Sequence, residues 1–236
     1  TYKVVCVLPA YNAARTLQNT IEDIDRNWID DIILVDDCSQ DNTVELAKEL
    51  NVDYIIEHPH NLGYGGNQKT CYQKALDLEA DIVVMVHPDH QYNPKLIPQM
   101  VIPLMENQCD AVFGSRMLGG KFFEGGMPKW KFYANILLTA FANMILGIYL
   151  TEFHTGFRAY SRYYLESINF MENSDDFVFD TEIIIQGLQK RMKFHEIPID
   201  TRYFKEASQI NLPDSIKYGL GMLKRLILYK LFRLGI

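Results

Sequence analysis

The segment Val83-Val84-Met85-Val86 carries no polar side chain and runs straight into His87-Pro88-Asp89-His90-Gln91. An apolar run of this length, stopped by a proline, predicts a strand buried on both faces in a parallel sheet. The polar cluster then falls at the strand's carboxyl end, where open α/β sheets bind their ligands. Asp89 offers a hard carboxylate oxygen, Gln91 an amide oxygen, and His87 and His90 imidazole nitrogens. Oxygen-rich sets of this kind suit Mg²⁺ or Mn²⁺ holding a phosphate. A loop that merely caps a core strand has the same composition, and the cluster alone does not choose between the two.

The preceding residues repeat the theme. Lys3 to Leu8 is a β-branched apolar run ending at Pro9, a first strand. Within residues 13–26, Leu17, Ile21 and Ile24 recur at helical spacing. Asp31 to Val35 predicts a second strand ending in Asp36-Asp37-Cys38-Ser39-Gln40-Asp41, then a helix from Thr43 to Leu50 with Asp41 or Asn42 as N-cap. Tyr54 to Glu57 is a third strand. Asn61-Leu62-Gly63-Tyr64-Gly65-Gly66-Asn67 is a Gly-rich turn opening a helix to Leu78, and Asp81 to Val86 is the strand of the opening cluster. This βαβαβ alternation implies a doubly wound parallel sheet. Further on, the pattern predicts helices over Pro94 to Glu106 and Phe179 to Arg191, and strands over Ala111 to Gly114 and Phe194 to Ile199. Gly119, Gly120, Gly125 and Gly126 bound a loop with Phe122 and Phe123 that reads as a lid. No linker or repeat divides the 236 residues, which suffice for one large α/β domain.

A net charge of −7 excludes nucleic acid as a partner on electrostatic grounds. Cys6, Cys38, Cys71 and Cys109 form no CxxC pair and no zinc spacing, so they read as free thiols in a reducing compartment. The chain opens at Thr1, directly into a strand, so the absence of a signal peptide carries little weight. Ala134 to Leu150 is uncharged but punctuated by Asn135, Thr139 and Asn143, which suits a buried or interfacial helix rather than a membrane span. Ser215 to Ile236 is apolar nearly all round, with Lys217, Lys224, Arg225, Lys230 and Arg233 and no acid. That pattern suits the surface of an anionic membrane; docking on its own domain or on a second copy is the other use.

Pro9-Ala10-Tyr11-Asn12, Asp36 to Asp41, Gly63 to Asn67 and Asp89-x-Gln91 all fall at one edge of the predicted sheet. In this order the set resembles family 2 glycosyltransferases, closest to the polyprenyl-phosphate sugar synthases of the dolichyl-phosphate mannose synthase-like branch. The resemblance covers nearly the whole chain. It implies a single GT-A-type α/β domain over residues 1–214, with a central mostly parallel sheet, helices on both faces and a Rossmann-like nucleotide-binding half. Its donor half covers about residues 1–115 and its acceptor half about 116–214, and residues 215–236 form the basic apolar terminal helix.

The resemblance also implies roles. Pro9, Tyr11 and Asn12 wall the base pocket of a nucleotide sugar, and Asp37 accepts hydrogen bonds from base or ribose. One of Asp36 and Asp37 only closes its turn. Gly65 lets backbone approach the nucleotide, and Lys69 adds charge there. The family's metal cluster reads Asp-x-Asp-x-Gln; here His87 stands at the first Asp, while Asp89 and Gln91 match. One carboxylate fewer lowers the affinity for Mg²⁺ and makes borderline ions such as Mn²⁺ more competitive. His87 itself ligates, hydrogen-bonds a diphosphate when protonated, or packs. In Gly114-Ser115-Arg116, Arg116 meets the acceptor's phosphate, helped by Lys129 and Lys131. Thr155-Gly156-Phe157-Arg158 resembles a Ser-Gly-Phe-Arg segment with an acid upstream, here Glu152. Arg158 contacts substrate or forms a structural ion pair, and Arg202, with Lys205 and Ser208, lies near the acceptor or diphosphate. Asp180 or Glu182 serves as general base for a hydroxyl acceptor and is structural for a phosphate acceptor, which is already ionised.

The implied activity is inverting, metal-dependent transfer from a nucleotide sugar, a UDP-sugar by preference, to a polyprenyl phosphate. The protein would sit peripherally on the cytoplasmic, inner face of the cell membrane. Transfer to a sugar hydroxyl in polysaccharide or glycolipid assembly is the alternative. A nucleotide-sugar-binding scaffold that lost transfer with the His87 replacement is a third.

Overall fold

The computed structural model describes residues 2–120, 124, 126–200 and 212–232. Among these residues seven strands form one sheet: β1 (Val4–Ala10), β2 (Asp31–Asp36), β3 (Tyr54–Glu57), β4 (Ile82–Met85), β5 (Ala111–Ser115), β6 (Arg158–Ser161) and β7 (Phe194–Pro198). Their order is β3-β2-β1-β4-β6-β5-β7. All neighbours pair in parallel except β6, which is antiparallel to both β4 and β5. The expected mostly parallel sheet is therefore present, and β3-β2-β1-β4 is its Rossmann-like half.

Strand side chains alternate between two cores. Val5, Val7, Ile33, Val35, Val83 and Met85 face one, together with Cys71, Tyr72 and Ala75 of α3 (Gly63–Asp77) and Ile183 to Ile185 of α8 (Phe179–Gln189). Cys6, Leu8, Ile32, Leu34, Val84 and Val86 face the other, against Leu17 of α1 (Leu17–Glu22), Ala47 of α2 (Thr43–Glu49) and Met100, Val101 and Leu104 of α4 (Ile97–Met105). The helix predicted over residues 13–26 is short, because an Asx turn from Asp25 to Asn27 diverts the backbone after Asp23. The antiparallel strand β6 escapes prediction: four residues led by an arginine do not read as a central strand.

Two helices complete the molecule over the carboxyl edge of the sheet. α6 (Lys129–Leu146) ends at Gly147, whose φ of +68° is left-handed and free of a Cβ penalty. Its punctuating residues form an inward stripe at i, i+4, i+8. Asn135 Nδ2 donates to Glu152 at 2.7 Å, Thr139 Oγ1 to Asn135 at 3.2 Å, and Asn143 both donates to and accepts from the Leu150 backbone. α9 (Leu212–Phe232) packs on α6 and α8 and buries Met222 and Leu226. Arg225 Nε meets the fully buried carboxylate of Glu182 at 2.7 Å. Among the described residues the other α-helices are α5 (Arg116–Gly119) and α7 (Arg162–Ser167).

Removing one partner of a buried ion pair leaves an uncompensated charge. Arg225→Ala should cost about 2–3 kcal/mol in urea unfolding, and amide exchange should rise first along α9. Unchanged exchange in α9 would mean that this pair does not hold the helix.

Candidate functional site

A cleft of about 920 Å³ opens at the carboxyl ends of β1, β2 and β4 and is closed by α6 and α9. Pro9, Tyr11 and Asn12 line it from β1 and the turn that follows. Asn12, at a left-handed φ of +51°, ties two loops together: its N–H donates to Ser39 Oγ and its Oδ1 accepts from Gln40 N, both at 2.8 Å. The adjacent acids differ in their surroundings. Asp36 Oδ2 accepts from Ser39 N at 2.9 Å and closes the turn. Asp37 lines the cleft, its carboxylate accepting from Leu62 N, Gly63 N and the His58 ring.

Of the glycine turn, Gly63 lines the cleft and Gly65, expected at the nucleotide, does not. Gly63 (φ +86°) must be glycine for its backbone. Gly65 must be glycine because a Cβ would strike the Ser174 carbonyl and lie 2.9 Å from Phe179 Cβ. The backbone that approaches here is the protein's own 173–179 segment: Gly65 N and Gly66 N both donate to Asp175 O. Lys69, expected at the nucleotide, grips the same segment through Asn173 O and Asp175 Oδ1 and is buried away from the cleft.

Asp89, Gln91 and His87 all line the cleft. Burial pushes the Asp89 carboxyl up to about 6, and backbone hydrogen bonds, from Gln91 N at 3.0 Å and from its own N–H, only partly offset this. A desolvated carboxylate beside an amide oxygen fits a divalent cation completed by substrate phosphates and water. Among the described residues no three His, Cys, Asp or Glu side chains gather as a protein-only cage. Burial, and then the charge of Arg158, lower His87 to about 4, so the ring is neutral and ligand-competent. A neutral ring suits ligation or packing better than donation to a diphosphate. It stacks on Tyr64, and Gly156 leaves it room: a Cβ there would sit 2.6 Å from His87 Nε2. Tyr64, inside the glycine motif but unassigned by it, donates to Asp180 Oδ2 at 2.9 Å.

Arg116 and Lys131 line the cleft. Arg116 is held by the buried Glu152 through its backbone N (2.8 Å) and Nε (2.7 Å). Burial works against the Glu152 charge, but Arg116 and Asn135 outweigh it and keep the carboxyl below its usual range. Lys129 is exposed at the start of α6 and is absent from the cleft walls. Arg158 is fully buried, spent on Phe153 O, Thr155 O, Asp180 O and the Asp180 carboxylate, so it is the structural ion pair and not a substrate contact. Asp180 lines the cleft; burial raises its carboxyl despite Arg158, Tyr64 and Gln68. Glu182 does not line it, being fully buried against Arg225, Ser174 N and Ser174 Oγ, which excludes it as a base. Arg202, Lys205 and Ser208 lie outside the described residues, as do Phe122, Phe123 and Gly125 of the loop read as a lid. His154 and Tyr218, which sequence patterns do not single out, join α9 to the cleft wall through a 2.7 Å hydrogen bond.

The model of glycosyl transferase family 2 matches residues 5–168. The chain is 29% identical to the UDP-N-acetylglucosamine–dolichyl-phosphate N-acetylglucosaminyltransferase of Methanococcus voltae, covering 94% of this chain and 96% of that one. It is 27% identical to a dolichyl-phosphate hexose transferase of Haloferax volcanii, over 83% and 81% of the two chains. Among solved structures it superposes on glucosyl-3-phosphoglycerate synthase of Mycobacterium tuberculosis, bound to Mn²⁺, UDP and glucosyl-3-phosphoglycerate. The TM-score is 0.73 at 19% identity, covering 97% of this chain and 80% of that one.

Two outcomes follow from the geometry. Gly65→Ala should destabilise by about 2–3 kcal/mol, read by urea unfolding, because the Ser174 carbonyl cannot retreat without breaking the Asp175 bonds. If Asp89 ligates Mn²⁺, the ion must displace its proton at low pH, and affinity should fall about tenfold per pH unit below about 6 and level off above. Electron paramagnetic resonance titration of Mn²⁺ reads this; a flat profile between pH 5 and about 7 would remove Asp89 from the ligand set.

Proposed function

Because the chain belongs to glycosyl transferase family 2, and is thus a glycosyltransferase, we propose that it moves a sugar from a UDP-sugar to a polyprenyl phosphate at a membrane surface, with inversion. One observation carries this reading. The cleft that holds Asp37, Asp89 and Gln91 also holds Arg116 and Lys131, and continues along Trp130, Leu137, Leu138, Ile216, Leu220 and Leu223 of α6 and α9. A nucleotide diphosphate, a second phosphate and an apolar chain each find matching chemistry in one space.

Asp37, with Pro9, Tyr11 and Asn12, orients the nucleoside. Asp89 and Gln91, with the neutral ring of His87, would hold a divalent ion, Mn²⁺ or Mg²⁺, which when bound neutralises charge growing on the leaving diphosphate. Arg116 and Lys131 hold the acceptor phosphate so that one oxygen attacks the anomeric carbon opposite the leaving group. That oxygen is ionised and needs no base. The apolar walls seat the first isoprenoid units and limit access of water to the donor. The Methanococcus relative is named for a UDP-sugar and a dolichyl phosphate, which supports both substrates.

No helix among the described residues is long and apolar enough to cross a membrane. Peripheral contact on the cytoplasmic face is the association we propose. Tyr133, Ile136 and Leu137 on α6 and Leu220 and Ile227 on α9 are exposed, with Lys217, Lys224 and Lys230 on the same terminal helix.

Asp180 favours the second reading, a hydroxyl acceptor, since it is a buried cleft-lining carboxyl with a raised pKa. Its oxygens are, however, engaged by Tyr64, Gln68 and Arg158. The deciding experiment follows UDP release from several UDP-sugars with Mn²⁺, Mg²⁺ or chelator, with and without a short polyprenyl phosphate. Release should require both the metal and the lipid phosphate. Nucleotide binding without release under any condition would favour the scaffold. Asp180→Asn, checked by thermal melting, should keep lipid-phosphate turnover within about fivefold, whereas loss of a true general base costs 10²-fold or more, roughly.

A further inference from the structure

His58 was not marked by any motif, yet its side chain is 7% exposed and sits on the cleft-lining carboxylate. Its Nδ1 lies 2.8 Å from Asp37 Oδ1 and its Nε2 2.9 Å from Thr70 Oγ1 of α3. With Nδ1 donating to Asp37, Nε2 accepts the Thr70 hydroxyl proton when the ring is neutral, or donates to that oxygen when it is charged. Either way the Nδ1 proton stays on Asp37. Leu62 N also donates to Oδ1, at 2.7 Å, and Gly63 N donates to Oδ2, at 3.0 Å.

An ionised carboxylate has about four acceptor sites, two on each oxygen. Among the described residues, His58 and Leu62 fill Oδ1, and Gly63 takes one site of Oδ2. One site on Oδ2 is left for a ligand. Resting on the reading of this cleft as a nucleotide-sugar site, we infer that His58 selects the base: by occupying Oδ1 it reduces Asp37 to a single acceptor, which admits uracil and disfavours guanine.

The chemistry of the bases carries the argument. Uracil presents one imide N–H, at N3, flanked by two carbonyl oxygens, and a single acceptor satisfies it. Guanine presents N1–H and the N2 amino group side by side. Both oxygens of a free carboxylate would match that pair; here the second donor meets an oxygen already saturated by a ring N–H and a backbone N–H, and goes unpaired. A buried donor left unpaired is what makes hydrogen-bonding sites selective. Cytosine puts an N3 lone pair where uracil has its N–H and can reach the single acceptor only through its N4 amino group, with that lone pair left against the carboxylate, so it is disfavoured as well. His58 touches Asp37 and does not line the cleft, and is therefore a positioning residue.

The test measures binding of UDP, GDP and CDP to the full chain by calorimetry with Mn²⁺ present, which needs no turnover. Wild type should prefer UDP to both others. His58→Ala should weaken UDP by about tenfold and shrink the UDP-to-GDP ratio by a similar factor, as Oδ1 becomes available. His58→Asn keeps a donor where Nδ1 was and should stay within about threefold of wild type. His58→Gln places its amide where Nε2 was, so it should behave like His58→Ala. If the alanine variant does not fold, the Asn and Gln pair carries the test, because a merely space-filling role would not separate them. Unchanged affinity and unchanged ratio in the Ala or Gln variant would overturn the inference. Weaker UDP binding at a constant ratio would also overturn it, since Asp37 would then face the ribose. A wild-type chain that binds none of the three would instead overturn the nucleotide-sugar reading itself.

Discussion

A guanidinium with no solvent exposure, Arg158, is the constraint from which the cleft hangs. It enters the sheet on β6 and cannot shed its proton, so everything around it must supply acceptors. Thr155 O, Phe153 O and Asp180 O do so at 2.8 to 3.2 Å, and the Asp180 carboxylate adds charge at 3.3 Å. Those partners lie in the loop before β6 and on the first turn of α8. Asp180 passes the constraint to α3 through Tyr64 and Gln68, and Tyr64 passes it to His87 by stacking. Deleting the arginine would strand a buried carboxylate and several carbonyls together, which is why this charge is tolerated in the core.

The amino-terminal half was legible because its strands are continuous apolar runs whose ends carry polar clusters. Burial on both faces writes itself into such runs, and β1 to β4 appear within a residue or two of expectation. Pro9, Asp37, Asp89, Gln91 and Arg116 share one cleft for the same reason: strand ends fix their place, and the first turn of α6 brings Lys131 to them. The illegible part concerns charges whose partners are remote in the chain. Lys69 meets Asp175 across 106 positions, and Tyr64 meets Asp180 across 116. Residue type shows that Lys69 or Glu182 needs a counter-charge; it does not say whether ligand or protein provides it. In both cases the protein does.

The uncharged stretch of α6 shows a different limit. Its composition fits lipid on any face, but the Asn135, Thr139 and Asn143 stripe assigns one face to the 150–152 loop and leaves another exposed. Asn135 thereby adds to the shell around Glu152, which holds Arg116. The same helix presents apolar side chains outward and steadies a cation inward, so its surface and its chemistry are not separable by mutation of whole turns.

Pro9 sits within β1, paired with Val35 of β2. On the other side, β1 and β4 stay in register only as far as Val7 and Met85, with Val86 N donating to Val7 O as the last rung. The next rung would require an N–H at residue 9, and proline has none. The two central strands are therefore released from each other at the level where Asp89 and Gln91 emerge. The crevice owes its position to backbone chemistry rather than to the bulk of any side chain. A chain that keeps this proline can exchange the loops around the cleft, and with them its substrates, without the sheet zipping shut beneath them.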